Sequence, residues 1–226
     1  MRSACLALLA ALLIGGAAVA KSVEDRVAAH GAAARERMRP AFAAAGVAYP
    51  PREVVLLGLK QERRLEAYAG ARAGELRFVH AYPVLAASGA LGPKLREGDL
   101  QVPEGVYRIA LLNPNSRFHL SLRVDYPNAD DRRNAAADGR TDLGGDIMIH
   151  GNAVSIGCIA VGDVAIEEVF VLASDVGREH VGVVLSPLDL RASPLPESLA
   201  GAHPWSRDLY ARIRGALAAL PPAATP

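Results

Sequence analysis

From Glu53 onward the chain is written in short runs of β-branched and aromatic residues cut by Gly, Pro and Asn, and that punctuation constrains its fold most. Runs of this length are too short for stable helices and match strands bounded by turns. The clearest is Phe118 to Val124, where Phe118, Leu120, Leu122 and Val124 alternate with His119, Ser121 and Arg123, giving one buried and one wet face. Val54 to Leu59, Leu65 to Ala69, Leu76 to Val84, Val106 to Leu112, Ile147 to Ile149 and Val181 to Leu185 are further expected strands. The fold class is mainly β with a few helices.

Three helices frame or interrupt these strands. Ser22 with Asp25 forms a capping box, and the Ala-, Arg- and Glu-rich stretch after it reads as a helix to about Arg39, where Pro40 disturbs it. Its apolar stripe of Val23, Val27, Ala34 and Met38 is thin, which marks it as an appendage rather than core. Asp163 is placed as the N-cap of a second helix with Ile166, Val169, Phe170 and Ala173 at helical spacing. A third, from about Ser206 to Leu220, carries Leu209, Ile213, Leu217 and Leu220. Residues 92–105 and 125–146 read as ordered loops, and loops of that length in a compact domain are usually functional or mobile.

A chain of 226 residues suffices for one catalytic domain. Arg2, the apolar run Leu6 to Ile14 and the ending Ala18-Val19-Ala20 before Lys21 form a secretory signal peptide, residues 1–20. A retained inner-membrane anchor is the competing reading, although the run is shorter than the ~20 apolar residues of a spanning helix. The remaining divisions are a helical segment at 21–50, a catalytic domain at 51–190 and a C-terminal helix and tail at 191–226. The expected location is the periplasm.

Loss of the leader removes Arg2 from 25 basic residues and leaves 24 against 24 acidic ones. No basic run offers a nucleic-acid footprint, so nucleic acid is not an expected partner. Of two cysteines, Cys5 leaves with the leader and Cys158 remains as a lone thiol. In an oxidising compartment such a thiol is either a buried small hydrophobe or a reactive group.

The segment IMIHGNAVSIGC gives that thiol a context. Ile147, Met148 and Ile149 deliver His150 at a strand end, Gly151 follows, and Gly157 permits a tight turn beside Cys158. A free thiol of pKa about 8.5 is mostly protonated at neutral pH, and an imidazole within hydrogen-bond reach can take its proton. The thiolate can then attack a carbonyl, with the N–H groups of Gly157 and Cys158 as expected oxyanion donors. Spacing alone leaves this dyad level with a packed histidine and a packed cysteine. No metal is expected, since one His and one Cys supply two ligands where zinc takes three or four. His80, His119, His180 and His203 have no Cys or His at ligand spacing.

IMIHG followed by SIGC resembles the active-site signature of the L,D-transpeptidase (YkuD/ErfK) family. That family usually has a longer spacer and SHGC followed by Arg or Asn, whereas Ile156 here replaces the second His and Ile159 follows Cys158. These departures, with GPKLREGDLQVPEGVYRI, LNPNSRFHLSL, DYPN and GGDIMIHG, are similar to the YafK-like branch, and the resemblance covers roughly residues 50–185. It implies a mixed β-sandwich and a nucleophile, Cys158, that attacks the L-centre carbonyl of meso-diaminopimelate in peptidoglycan stem peptides. The thioacyl-enzyme would pass to an amine, giving transpeptidation, or to water, giving hydrolysis, with release of a peptidoglycan-linked lipoprotein as one such outcome. His150 would be the general acid and base, oriented by the Gly151 carbonyl. No cofactor is implied. Lys94, Arg117, Tyr126 and Asn128 are candidate contacts to the carboxylate-rich stems, and Ser155 either holds the turn or lines the site. A rival reading from another class is a non-catalytic envelope protein that binds peptidoglycan in the same groove.

Overall fold

A computed structural model describes residues 20–223 apart from Ala73, so the expected signal peptide lies, but for Ala20, outside the described residues. In chain order the helices are α1 (Val23–Ala45), α2 (Ala129–Ala137), α3 (Asp163–Val176), α4 (Glu197–Ala200) and α5 (Ser206–Ala218). The strands are β1 (Glu53–Leu59), β2 (Arg64–Gly70), β3 (Arg77–Pro83), β4 (Ala86–Ala87), β5 (Gly105–Asn113), β6 (Ser121–Val124), β7 (Met148–His150), β8 (Ile159–Ala160) and β9 (Val181–Ser186). They form one mixed sheet in the order β3-β2-β1-β9-β5-β6-β7-β8-β4. The β1–β9 and β7–β8 pairs are parallel and the others antiparallel.

Strand β5 pairs with β9 through its first half and with β6 through its second, and the register shifts between Ile109 and Leu111. A bulge of this kind bends a strand and raises its twist, which lets the sheet curl over itself into the mixed β-sandwich that the sequence implies. The two halves consequently share a core, in which Val54, Leu56, Val183 and Leu185 meet Leu120, Leu122, Ile149 and Ile159. On the opposite face Leu57, Leu59 and Val184 pack with Trp205, Leu209, Ile213 and Leu217 of the α5 region. The apolar runs of β1 and β9 are continuous because both faces of these central strands are covered.

Three sequence expectations change. Helix α1 runs through Pro40 to Ala45, ends on left-handed Gly46, and buries Ala34, Met38 and Phe42 in the shared core. Pro40 is exposed, so the carbonyl it leaves unbonded one turn back can face solvent. The helix is therefore core, and Arg35 fixes it with two bonds of 2.7 and 2.6 Å to Asp175 of α3. The strand expected from Phe118 begins only at Ser121, because the last β5–β6 pair, Asn113 with Ser121, leaves residues 114–120 to form the hairpin turn. Within the 125–146 stretch, Asn128 caps α2 by accepting from the Asp130 and Asp131 N–H groups. No helix among the described residues is long and apolar enough to cross a membrane.

Candidate active site

His150 ends β7 and Cys158 immediately precedes β8, and the two strands run parallel with Ile149 beside Ile159 and His150 beside Ala160. This register, carried one residue back, sets Cys158 next to Met148, whose backbone N–H favours the thiolate. The residues between, 151–158, make the whole connection without a helix.

The His150 ring is buried and stacks on Phe118, with centroids 4.6 Å apart. Its Nδ1 lies 2.6 Å from the Gly151 carbonyl oxygen. A carbonyl can only accept, so Nδ1 carries the proton, and the neutral ring keeps its lone pair on Nε2. Gly151 has no room for a side chain: a Cβ there would stand 2.5 Å from Asp163 Oδ1 and 2.7 Å from the Phe118 carbonyl oxygen. Asp163 also accepts from the Asn152 N–H at 2.8 Å. It is the first residue of α3, whose N-cap is Gly162, so Asp163 braces the loop after His150 and is not the expected cap.

Burial pushes the His150 pKa down, opposed by the bond to Gly151. Burial pushes the Cys158 thiol up, assisted by the Asp146 charge and opposed by Met148 N–H and by Lys94. Both shifts favour the uncharged forms, a thiol at one strand end and an imidazole with a free lone pair at the end of the neighbouring strand. Cys158 is half-buried, with Sγ 3.8 Å from the Asp146 carbonyl oxygen.

The turn before the thiol is held by two serines. Ser155 Oγ donates to the Cys158 carbonyl at 2.7 Å and accepts from the Cys158 and Ser88 N–H groups at 3.2 and 3.1 Å. The Gly157 N–H donates to Ser88 Oγ at 2.6 Å, and Gly157 itself sits at φ 111°, where glycine is strongly favoured. Ser155 thus holds the turn. The two N–H groups expected to receive an oxyanion are already committed to hydroxyls, and could serve only after those hydroxyls turn away. Ser88 was not legible as a site residue; it lies just beyond β4, far from the motif in sequence.

The four candidate substrate contacts separate. Lys94 is buried, with Nζ bonded to Asp99 Oδ1 at 2.6 Å and to the Arg96 carbonyl at 2.8 Å, so it organises its own loop. Tyr126 is buried with its hydroxyl donating to the Leu143 carbonyl at 3.1 Å. Asn128 uses its oxygen for the α2 cap and its amide for the Val106 carbonyl at 2.9 Å. Only Arg117 of these four is exposed, next to Phe118. Residues Leu100, Val154 and Ile156 add exposed apolar surface, Ile156 being 78% exposed at the position of the family's second His.

A thiol, a tautomer-fixed imidazole and a glycine-lined turn thus meet at the ends of adjacent parallel strands, the groups a cysteine acyl-transfer enzyme would need. Residues 54–181 match the model of the YkuD L,D-transpeptidase catalytic domain, and the chain belongs to that family. Among its relatives is YafK of Escherichia coli strain K12, named as a candidate L,D-transpeptidase, 39% identical over 114 residues that make up 49% of this chain and 43% of YafK. The chain thus spans under half the length of that relative. Among solved structures, the helical cell shape determining protein Pgp2 from Campylobacter jejuni is 26% identical with a TM-score of 0.48, covering 60% of this chain and 48% of Pgp2.

Proposed function

We propose that the protein is an exported cysteine acyltransferase of peptidoglycan, with Cys158 as nucleophile and His150 as general base and acid. The observation that carries this reading is the 2.6 Å contact from His150 Nδ1 to the Gly151 carbonyl, which leaves Nε2 as the basic nitrogen of a buried ring in the strand beside the thiol. Cys158 Sγ attacks the L-centre carbonyl of a stem-peptide meso-diaminopimelate as Nε2 takes the thiol proton, and a C–S bond forms. The tetrahedral intermediate collapses, the C–N bond breaks, and His150 returns the proton to the departing amine. An incoming amine or water then attacks the thioester with His150 accepting its proton, and the thiol is regenerated. An amine gives a new cross-link; water gives a free carboxylate, and would release a lipoprotein where its lysine was the amine that departed. Exposed Arg117 supplies a cation for stem carboxylates. The amino-terminal leader would deliver the enzyme to the periplasm.

Mass spectrometry of muropeptides after incubation of purified sacculi with the protein tests this. New 3-3 cross-links or freed tripeptide ends are expected, and Cys158→Ala should reduce either by at least about a thousandfold while leaving the circular dichroism unchanged. Unaltered product yield in that variant would end the proposal, and binding to sacculi without any products would leave the non-catalytic reading in its place.

A further inference from the structure

The sequence leaves His119 without a companion at ligand spacing, but the fold provides two. His30 reaches across from the N-terminal half of α1, His119 stands in the β5–β6 turn, and Glu167 projects from the second turn of α3. His30 Nδ1 lies 3.1 Å and His119 Nε2 3.0 Å from one atom, Glu167 Oε1. All three atoms lie within 4.8 Å of one another, and the imidazoles meet edge to face at 5.1 Å between centroids. The separate sequence origins explain why spacing could not reveal the group.

We infer that His30, His119 and Glu167 form a binding site for a divalent transition-metal ion of the zinc class, distinct from the His150 and Cys158 pair. In a tetrahedral zinc site with bonds of roughly 2.0–2.1 Å, ligand atoms stand about 3.3 Å apart, close to the two separations here. Two imidazoles and one carboxylate are a set that zinc accepts with a further position open. The side chains are 21%, 26% and 17% exposed, so the trio is sheltered yet reachable. The carboxylate is also oriented from behind: Arg37 donates to Glu167 Oε2 at 2.9 Å and to Glu168 Oε1 at 2.6 Å, leaving Oε1 turned towards the imidazoles. An outer partner of this kind fixes a ligand's geometry before the ion arrives. His119 holds φ 72°, uncommon outside glycine, at the point where its ring joins the trio.

The bound ion would pin α1 and α3 to the turn that carries Phe118, the ring stacked on His150. It would therefore stiffen the support of the imidazole without touching the reacting atoms. The site stands on its own geometry, independent of the reaction proposed above.

The full chain, stripped with a chelator, is titrated with Co(II) and Zn(II). One Co(II) per chain is expected, with the visible bands of low-coordinate cobalt and no thiolate-to-cobalt band in the near ultraviolet. Zn(II) at a hundredfold excess over its Kd should raise Tm by roughly 5–10 °C. His119→Ala and the milder Glu167→Gln should each weaken binding at least a hundredfold, and Cys158→Ala should leave it unchanged. Absence of stoichiometric binding to the unsubstituted chain overturns the inference. So does binding that survives in His30→Ala/His119→Ala, or binding that disappears in Cys158→Ala.

Discussion

Two regions of this protein bury titratable groups in opposite ways. Beneath α5, Lys60 and Glu104 form a buried ion pair at 2.9 Å, and Tyr210 donates to the second Glu104 oxygen at 2.8 Å. Lys60 Nζ also bonds the Gly92 and Val102 carbonyls at 2.8 and 3.0 Å. At the other region, His150 has a carbonyl and an aromatic ring for neighbours, and the thiol of Cys158 faces backbone. Burial acts on both, depressing Lys60 as it depresses His150. The difference lies in the partner. A carboxylate in contact opposes the shift and locks the charged form into the structure, whereas backbone neighbours leave a group neutral and able to exchange a proton. The first arrangement suits folding, and the second is the kind that proton-transfer chemistry requires.

The comparison breaks most readily at Glu104. Glu104→Ala strands the Lys60 ammonium in the interior and should cost about 3–5 kcal/mol in urea unfolding. A loss below about 1 kcal/mol would show that the pair is not the structural counterpart of the dyad. Next in size is Gly151→Ala, whose Cβ would collide with the Phe118 carbonyl and with Asp163. Overpacking of this sort costs about 1–3 kcal/mol. Displacement of the carbonyl that orients His150 should lower kcat roughly tenfold to a hundredfold with little change in KM. An alanine variant of wild-type kcat would remove Gly151 from the argument.

The pH profile sharpens the contrast further. With His150 depressed by burial, the ring stays neutral to lower pH than usual, so the acid limb of kcat/KM should fall below the ordinary histidine value of about 6.5. With Cys158 raised by burial, its iodoacetamide alkylation should still be accelerating above pH 8.5. An acid limb at pH 7 or higher, or alkylation already at a plateau by pH 7, would indicate a preformed ion pair instead. The smallest effect belongs to Ser155→Ala, which removes the hydroxyl bridging the Cys158 N–H and carbonyl. About 1 kcal/mol of stability and a several-fold fall in kcat are expected, and an unchanged rate would leave the turn to Ser88 alone.

The candidate pair stands out in the sequence because its strand, glycines and thiol lie in one contiguous segment. Alternation also identified the buried Leu120, Leu122 and Val124, although it could not show that β6 starts at Ser121, because strand length is decided by pairing with β5. Helix α2 lacks an apolar stripe and buries only Asn134 and Ala135, yet the Asn128 and Asp131 capping box that opens it was present in the sequence. Treating Asn128 as a substrate contact overlooked that demand of the backbone. Ser88 and the His30, His119 and Glu167 cluster are products of tertiary packing, and local patterns carry no trace of them.

The parallel pairing of β7 and β8 has an evolutionary consequence. The relative position of Cys158 and His150 is set by hydrogen bonds between two very short strands, and the loop 151–158 merely returns the chain from the end of one to the start of the other. Pair and loop are thereby uncoupled: the loop can lengthen, shorten or exchange a polar residue for exposed Ile156 while Cys158 and His150 keep their separation. Substrate choice can drift in such a scaffold without the chemistry being reinvented each time.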